Sequence, residues 1–404
     1  MRDGGEGVGE HVSQRLQPRG ILDTRRPRTF REHHVSETLA SPAAAGLPVL
    51  RGTDHVELFV GNARQAAYHY RQAFGFDVAA YAGPETGCRD RASYVLEQGR
   101  VRLVLTAPLG PEGAIADHVS RHGDGVRAIG LQVEDARSAF GAATARGARA
   151  VAEPHTLEDE HGVVTLASVA TFGDTIHTFV ERDEYAGSFL PGYRAEQRAG
   201  GGVGLRFIDH TVANVELGRM DDWVSFYSEV FGFNVFQEFD ESDIATQYSA
   251  LRSKVTRDPR SSLTFPINEP AVGLKRSQIQ EYLDHYRGSG VQHIAIHTDD
   301  IVRTVAEMKQ RGVEFLSTPG AYYDALGERA AGIDEDLDRL RHLNILLDRD
   351  DDGYLLQIFT RPVGDRPTLF FEVIQRKGCK GFGKGNFKAL FEAIEREQQA
   401  RGNL

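Results

Sequence analysis

Cysteine is nearly absent from this chain of 404 residues: only Cys88 and Cys379 occur, far apart and outside any CxxC. That argues against a disulfide framework or a thiolate zinc site, and it fits a reducing, cytoplasmic compartment. Long apolar runs are missing too. No stretch reaches the roughly 18 residues of a membrane-spanning helix, and the N-terminal region lacks the apolar core of a secretory signal. Positive charge is in deficit. Lys and Arg number 47 against 58 Asp and Glu, a net charge of −11 that speaks against nucleic acid as a partner. What remains, 40% hydrophobic and 26% charged residues, is the composition of an ordinary globular protein. The length sets an expectation of two or three domains.

Residues 1–45, rich in Arg, Gly and Glu, read as a disordered tail. The rest repeats itself. Tyr70-Arg71-Gln72-Ala73-Phe74-Gly75-Phe76 matches Tyr227-Ser228-Glu229-Val230-Phe231-Gly232-Phe233, and each follows an Asp-His strand, Asp54-His55 and Asp209-His210. A second, gap-free match aligns Val126–Gly147 with Val291–Gly312. In both copies a period-two strand runs into an acidic helix start (Asp135, Asp300) and a helical pattern ending at Gly. The expected fold is α+β: two homologous domains, each of two paired βαβββ modules forming an open, barrel-like half-shell with helices outside. The expected boundaries are residues 46–190, a linker 191–204, residues 205–375 and a terminal helix within 376–404.

Three strand-like apolar runs each hold one metal-ligand side chain: His210, His293 and Glu372. A carboxylate among Phe370, Phe371, Val373 and Ile374 costs several kcal/mol to desolvate unless it is paired or coordinated. Two imidazoles and a carboxylate on neighbouring strands make a facial triad suited to non-haem Fe(II). The repeat supplies a control. The N-terminal half keeps His55 opposite His210 and Glu181 opposite Glu372, but has Ala128 where the other half has His293. It is therefore expected to lack a complete metal site.

At the C-terminus, Gly364-Asp365-Arg366-Pro367 through Gln375-Arg376, followed by Gly381-Phe382-Gly383-Lys384-Gly385-Asn386-Phe387, closely resembles the 4-hydroxyphenylpyruvate dioxygenase family of the vicinal-oxygen-chelate superfamily. Pro266 through Pro270, Lys275 through Gln280 and Leu355 through Phe359 are similar to that family as well. The resemblance implies one Fe(II) per chain on His210, His293 and Glu372, with O2 as co-substrate. It implies a small 2-oxo acid, 4-hydroxyphenylpyruvate, as substrate and homogentisate as product. It assigns Ser253, Asn268, Gln292 and Gln357 to the polar catalytic shell. Phe359, Phe370, Phe387, Pro266, Phe382, Asn386 and Leu390 are assigned to the substrate pocket. It also implies a homodimer or homotetramer, and a last helix that covers the site.

That helix is legible on its own: Phe387, Leu390, Phe391 and Ile394 share one face, with Asn386 as expected N-cap. Asp348-Arg349-Asp350-Asp351-Asp352-Gly353 imitates a calcium loop but has Phe359 at the twelfth position, so an exposed hairpin turn is expected. Arg376, Lys377, Lys380, Lys384 and Lys388 read as a solvated basic face. Two other functions stay open: 4-hydroxymandelate synthesis from the same substrate, and non-enzymatic binding of a small molecule.

Overall fold

The computed structural model describes residues 46–240, 249–261, 263–271, 273 and 275–403; the expected tail 1–45 lies outside them. Four βαβββ modules follow one another. The first is β1 (Leu50–Phe59), α1 (Ala63–Phe74), β2 (Asp77–Ala82), β3 (Arg91–Gln98) and β4 (Val101–Pro108). After α2 (Ala114–His122) comes β5 (Gly125–Val133), α3 (Ala136–Ala145), β6 (Ala150–Asp159), β7 (Gly162–Ala170) and β8 (Ile176–Glu181). A short β9 (Arg194–Ala195) precedes the third module: β10 (Leu205–Asn214), α4 (Met220–Phe226), β11 (Asn234–Phe239), β12 (Leu251–Arg257) and β13 (Thr264–Pro270). The fourth, after α5 (Gln278–Tyr286), is β14 (Gly290–Thr298), α6 (Ile301–Gln310), β15 (Leu346–Asp350), β16 (Gly353–Phe359) and β17 (Phe370–Lys377). It is interrupted by α7 (Gly320–Asp324) and α8 (Leu337–Leu343), and α9 (Lys384–Ala400) ends the chain.

The modules pair into two curled half-barrel sheets, ordered β6-β7-β8-β5-β1-β4-β3-β2-β9 and β11-β12-β13-β10-β14-β17-β16-β15. In each, the first strands of two modules lie antiparallel at the centre, β1 on β5 and β10 on β14. The expected helix starts are present: Asp135 accepts from the Ser138 N–H and Asp300 from the Arg303 N–H, both at 2.9 Å. The repeated Phe-Gly-Phe ends each first helix with glycine in the left-handed region, φ 73° at Gly75 and 74° at Gly232.

The repeated aromatic pair is the device that joins the halves. Tyr70 and Phe74 of α1 pack edge-on and tilted against Phe371 of β17, at 5.6 and 5.1 Å. Tyr227 and Phe231, on the π-helical turn after α4, pack in the same way on His177 of β8, both at 5.7 Å. The residues expected to form a free linker do more than connect. Arg194–Ala195 pairs with β2, and the Gln98 side chain accepts from the Gly204 and Leu205 N–H groups at 3.0 and 3.1 Å. Backbone polar groups so close to the sheet edge are satisfied there rather than by water.

His177 occupies the position that Phe371 holds in the other half, and its Nε2 meets the Tyr227 hydroxyl at 2.8 Å. Burial pushes this imidazole down to about 4. The folded chain therefore resists protonating it while the unfolded chain does not. Stability is fully present above about pH 6.5 and is lost as pH falls toward 4, by up to roughly 3 kcal/mol. His177→Phe is expected to flatten that acid limb in denaturant titrations at pH 7 and pH 5. An unchanged slope would refute the assignment.

Candidate metal centre

The central strands carry the three expected ligands in adjacent register. His210 lies opposite Ala295, Ala295 opposite Glu372, and His293 opposite Val212. One ligand atom from each of His210, His293 and Glu372 falls within 4.8 Å of the others, and all three residues are buried. The two Nε2 atoms sit 3.2 and 3.3 Å from the same Glu372 oxygen.

The protonation pattern explains what belongs between them. His210 Nδ1 is 2.7 Å from Asp209 Oδ1, and His293 Nδ1 is 3.0 Å from Gln292 Oε1. Both partners are acceptors, so in the neutral rings Nδ1 carries the proton and Nε2 presents a lone pair. Two nitrogen lone pairs and a carboxylate then converge without a donor, an arrangement that repels unless a cation sits within it. Without a cation, protons on the two Nε2 atoms fill the same gap: against burial they favour the ionised Glu372 and hold its carboxyl at about 2. A carboxylate that stays ionised beside neutral imidazoles is what a divalent ion requires, and the donor set fits one.

Behind His210, Arg376 places Nε 2.8 Å and Nη2 2.9 Å from the two Asp209 oxygens. Burial opposes ionisation of Asp209, but Arg376 and His210 prevail and hold it well below the usual carboxylate range. The expected solvated basic face thus loses Arg376, which points inward, while Lys377, Lys380 and Lys388 keep exposed positions. The side chain of Lys384 lies outside what is described. Parity along β17 could have flagged Arg376, since Glu372, Ile374 and Arg376 alternate onto one face. Asp209 reaches the same side because the ladder is bulged between Ile208 and His210, as it is between Thr53 and His55.

Of the expected pocket residues, Pro266, Gln357, Phe359, Phe382, Phe387 and Leu390 line the cavity beside the three ligands. At about 20 Å³ that cavity is smaller than an aromatic acid, so a ring enters only as side chains on its walls move. Phe370 stacks on His293 at 4.8 Å and, with Gln292, lines a second cavity that also includes Gln278, which the sequence reading passed over. Ser253 and Asn268 face each other across β12 and β13. Ser253 Oγ, Asn268 Oδ1, Gln357 Oε1 and Asn386 Nδ2 are buried without a protein partner. Asn386 is not the N-cap. Gly383, in the left-handed region, occupies that place, and Asn386 sits in the first turn, accepting from the Tyr322 hydroxyl at 2.5 Å. The Asp350 turn is the expected hairpin, but Asp348 is buried and accepts from the Gly385 N–H at 2.7 Å.

The other half corrects one correspondence. His55 lies opposite Gly130, and Gly130 opposite Thr178, reproducing the His210–Ala295–Glu372 row. The counterpart of Glu372 is therefore Thr178. Glu181 corresponds to Gln375: each accepts from the first N–H of its own module's helix, Ala136 at 2.9 Å and Ile301 at 2.7 Å. Two of the three ligand positions are thus lost, not one. The His55 ring also leans over Gly130, where a Cβ would come within 2.5 Å of it. Glu181→Ala is expected to cost about 1 kcal/mol through the lost cap and to leave metal content per chain unchanged. A drop in bound metal would restore Glu181 as a ligand.

Three side chains able to hold a metal ion, inside one of two paired βαβββ half-shells, define the class: a protein of the two-domain vicinal-oxygen-chelate fold. Residues 52–179 and 207–358 match the Glyoxalase/Bleomycin resistance protein/Dioxygenase superfamily. The chain is 48% identical over 367 residues to the 4-hydroxyphenylpyruvate dioxygenase of Dictyostelium discoideum, covering 88% of this chain and 100% of that one. It is 47% identical to that of Caenorhabditis elegans, covering 87% and 93%. Among solved structures, a mutant 4-hydroxymandelate synthase from Streptomyces coelicolor superimposes with a TM-score of 0.77 at 37% identity, covering 86% of this chain and 99% of that one. The chain belongs to the 4-hydroxyphenylpyruvate dioxygenase family and is an enzyme. Among the described residues, no helix is long and apolar enough to cross a membrane.

Proposed function

We propose that this chain converts 4-hydroxyphenylpyruvate and O2 to homogentisate and CO2 at an Fe(II) ion held by His210, His293 and Glu372, in tyrosine catabolism. The observation that carries the reading is the convergence of three buried acceptor atoms on one point, beside orphaned polar groups and an aromatic wall. The same reading includes one iron per chain, a cytoplasmic setting and self-association as a homodimer or homotetramer. Bound iron supplies the redox chemistry that lets O2 react with a closed-shell acid, so a zinc-loaded protein is expected to be inert.

The chain's own residues do the rest. Three protein ligands leave coordination positions open for a 2-oxo acid and O2. Phe359, Phe382 and Phe387 hold the ring. Ser253, Asn268 and Gln357 offer polar atoms with no protein partner to the phenol and acid ends. Gln292 acts through His293, fixing its tautomer. Helix α9, lining the cavity with Phe387 and Leu390, acts as a lid that excludes water.

The test is direct. Protein loaded with Fe(II) is incubated with ascorbate and 4-hydroxyphenylpyruvate in air, oxygen uptake is recorded, and products are identified by NMR. Homogentisate with one CO2 per turnover supports the proposal. 4-Hydroxymandelate selects the synthase reading, which the solved structure at 37% identity keeps open. An absence of oxygen uptake eliminates both and leaves binding alone.

A further inference from the structure

The two halves share a unit larger than a metal ligand. In the C-terminal half, Asp209 accepts from His210 and from the Arg376 fork. Arg376 Nη1 also donates to the Gly381 carbonyl at 2.6 Å, and its guanidinium lies 5.3 Å from the Phe382 ring. Phe382 in turn stands edge-on to His210, with ring centroids 4.9 Å apart. In the N-terminal half, Asp54 accepts from His55 and, at 2.7 Å, from Arg182. Arg182 donates to the Phe189 carbonyl and lies 5.0 Å from the Phe189 ring, which is edge-on to His55 at 5.3 Å. Histidine, aspartate, arginine and a covering phenylalanine thus recur where no metal can bind. There Phe189 stands over His55 within a small apolar cluster of Ala80, Val95 and Val104.

In the C-terminal half the corresponding ring stands over a metal-ligand candidate and leads straight into α9. We propose that Arg376 is a positioning residue: one guanidinium fixes the His210 imidazole through Asp209 and holds Phe382 over that same ring. Metal-ready orientation of His210 and seating of the segment before α9 are thereby set together. A lysine cannot replace it. An ammonium is a point charge, and it cannot span both Asp209 oxygens and the Gly381 carbonyl at once. The inference rests on the metal reading of His210, His293 and Glu372, but not on which product the enzyme makes.

Co(II) is the probe, since its visible spectrum reports coordination geometry without turnover. Affinity is measured by chelator competition on the full chain, for wild type, Arg376→Gln, Arg376→Lys and the control Arg182→Gln. Both Arg376 variants are expected to lose about 10- to 100-fold in Co(II) affinity. They should also shift the Co(II) spectrum and show faster hydrogen exchange over residues 378–383. In the iron-loaded enzyme they should raise KM for the 2-oxo acid more than they lower kcat. Arg182→Gln should lose stability alone, with affinity, spectrum and exchange at 378–383 as in wild type. Wild-type affinity and spectrum in a folded Arg376→Lys protein would overturn the proposal. Failure of the wild-type chain to bind Co(II) would overturn it together with the metal reading.

Discussion

Replacing His293 with alanine is expected to remove metal binding and turnover together, while His55→Ala leaves turnover per folded chain near the wild-type value. The geometry requires the asymmetry. His293 supplies one of three lone pairs converging on a single point, and its loss leaves His210 and Glu372, too few ligands to hold a divalent ion firmly. His55 has no such company. Its row continues to Gly130 and Thr178, and the position matching His293 is Ala128. Losing it costs a buried hydrogen bond to Asp54, about 1 kcal/mol, and Asp54 keeps Arg182 and Arg102 as partners. Metal content by elemental analysis, with oxygen-electrode rates scaled to folded protein, distinguishes the two. Equal loss of turnover in both variants would refute a single site. The same assay on a chelator-treated chain should show no turnover until Fe(II) is returned.

Phe371→Ala should be the most destabilising change outside the site. The ring is fully buried and packs on Tyr70 and Phe74 from the other half. Large-to-small replacement of such a ring costs about 3–5 kcal/mol, because lost burial and the cavity left behind add, a large part of the stability of a typical domain. One contiguous core runs through both halves, so the urea midpoint should move as a single transition with an unchanged slope. Two separate transitions, with only the C-terminal one shifted, would show that the halves unfold independently. Glu372, next in sequence but on the opposite strand face, should remain able to bind metal in whatever fraction stays folded.

The ligands were legible because each problem was local. A period-two strand shows its faces in a handful of residues, and a carboxylate among phenylalanines signals its own desolvation cost. The amphipathic last helix could be read in the same way from Phe387, Leu390, Phe391 and Ile394. Its start could not: Asn386 is a good cap by type, but the left-handed Gly383 and the pull of Tyr322 placed it inside the helix. The inward turn of Arg376 is hidden in the sequence for a related reason. Its charge resembles that of the lysines nearby, and its partner Asp209 lies on a distant strand, turned inward by a bulge.

From the sequence alone came the two repeated halves, the three side chains that converge as a candidate metal site and the family. Each of these rests on residue types and short spacings that survive without coordinates. Tertiary structure decided what faces what. It placed Thr178, not Glu181, opposite the lost site, made the aromatic repeat the joint between the halves, and joined Arg376 to both His210 and Phe382. Those relations depend on register between strands far apart in the chain and on bulges within them. In the fourth module the intervening α7 and α8 also remove any constant spacing from which the register could be counted.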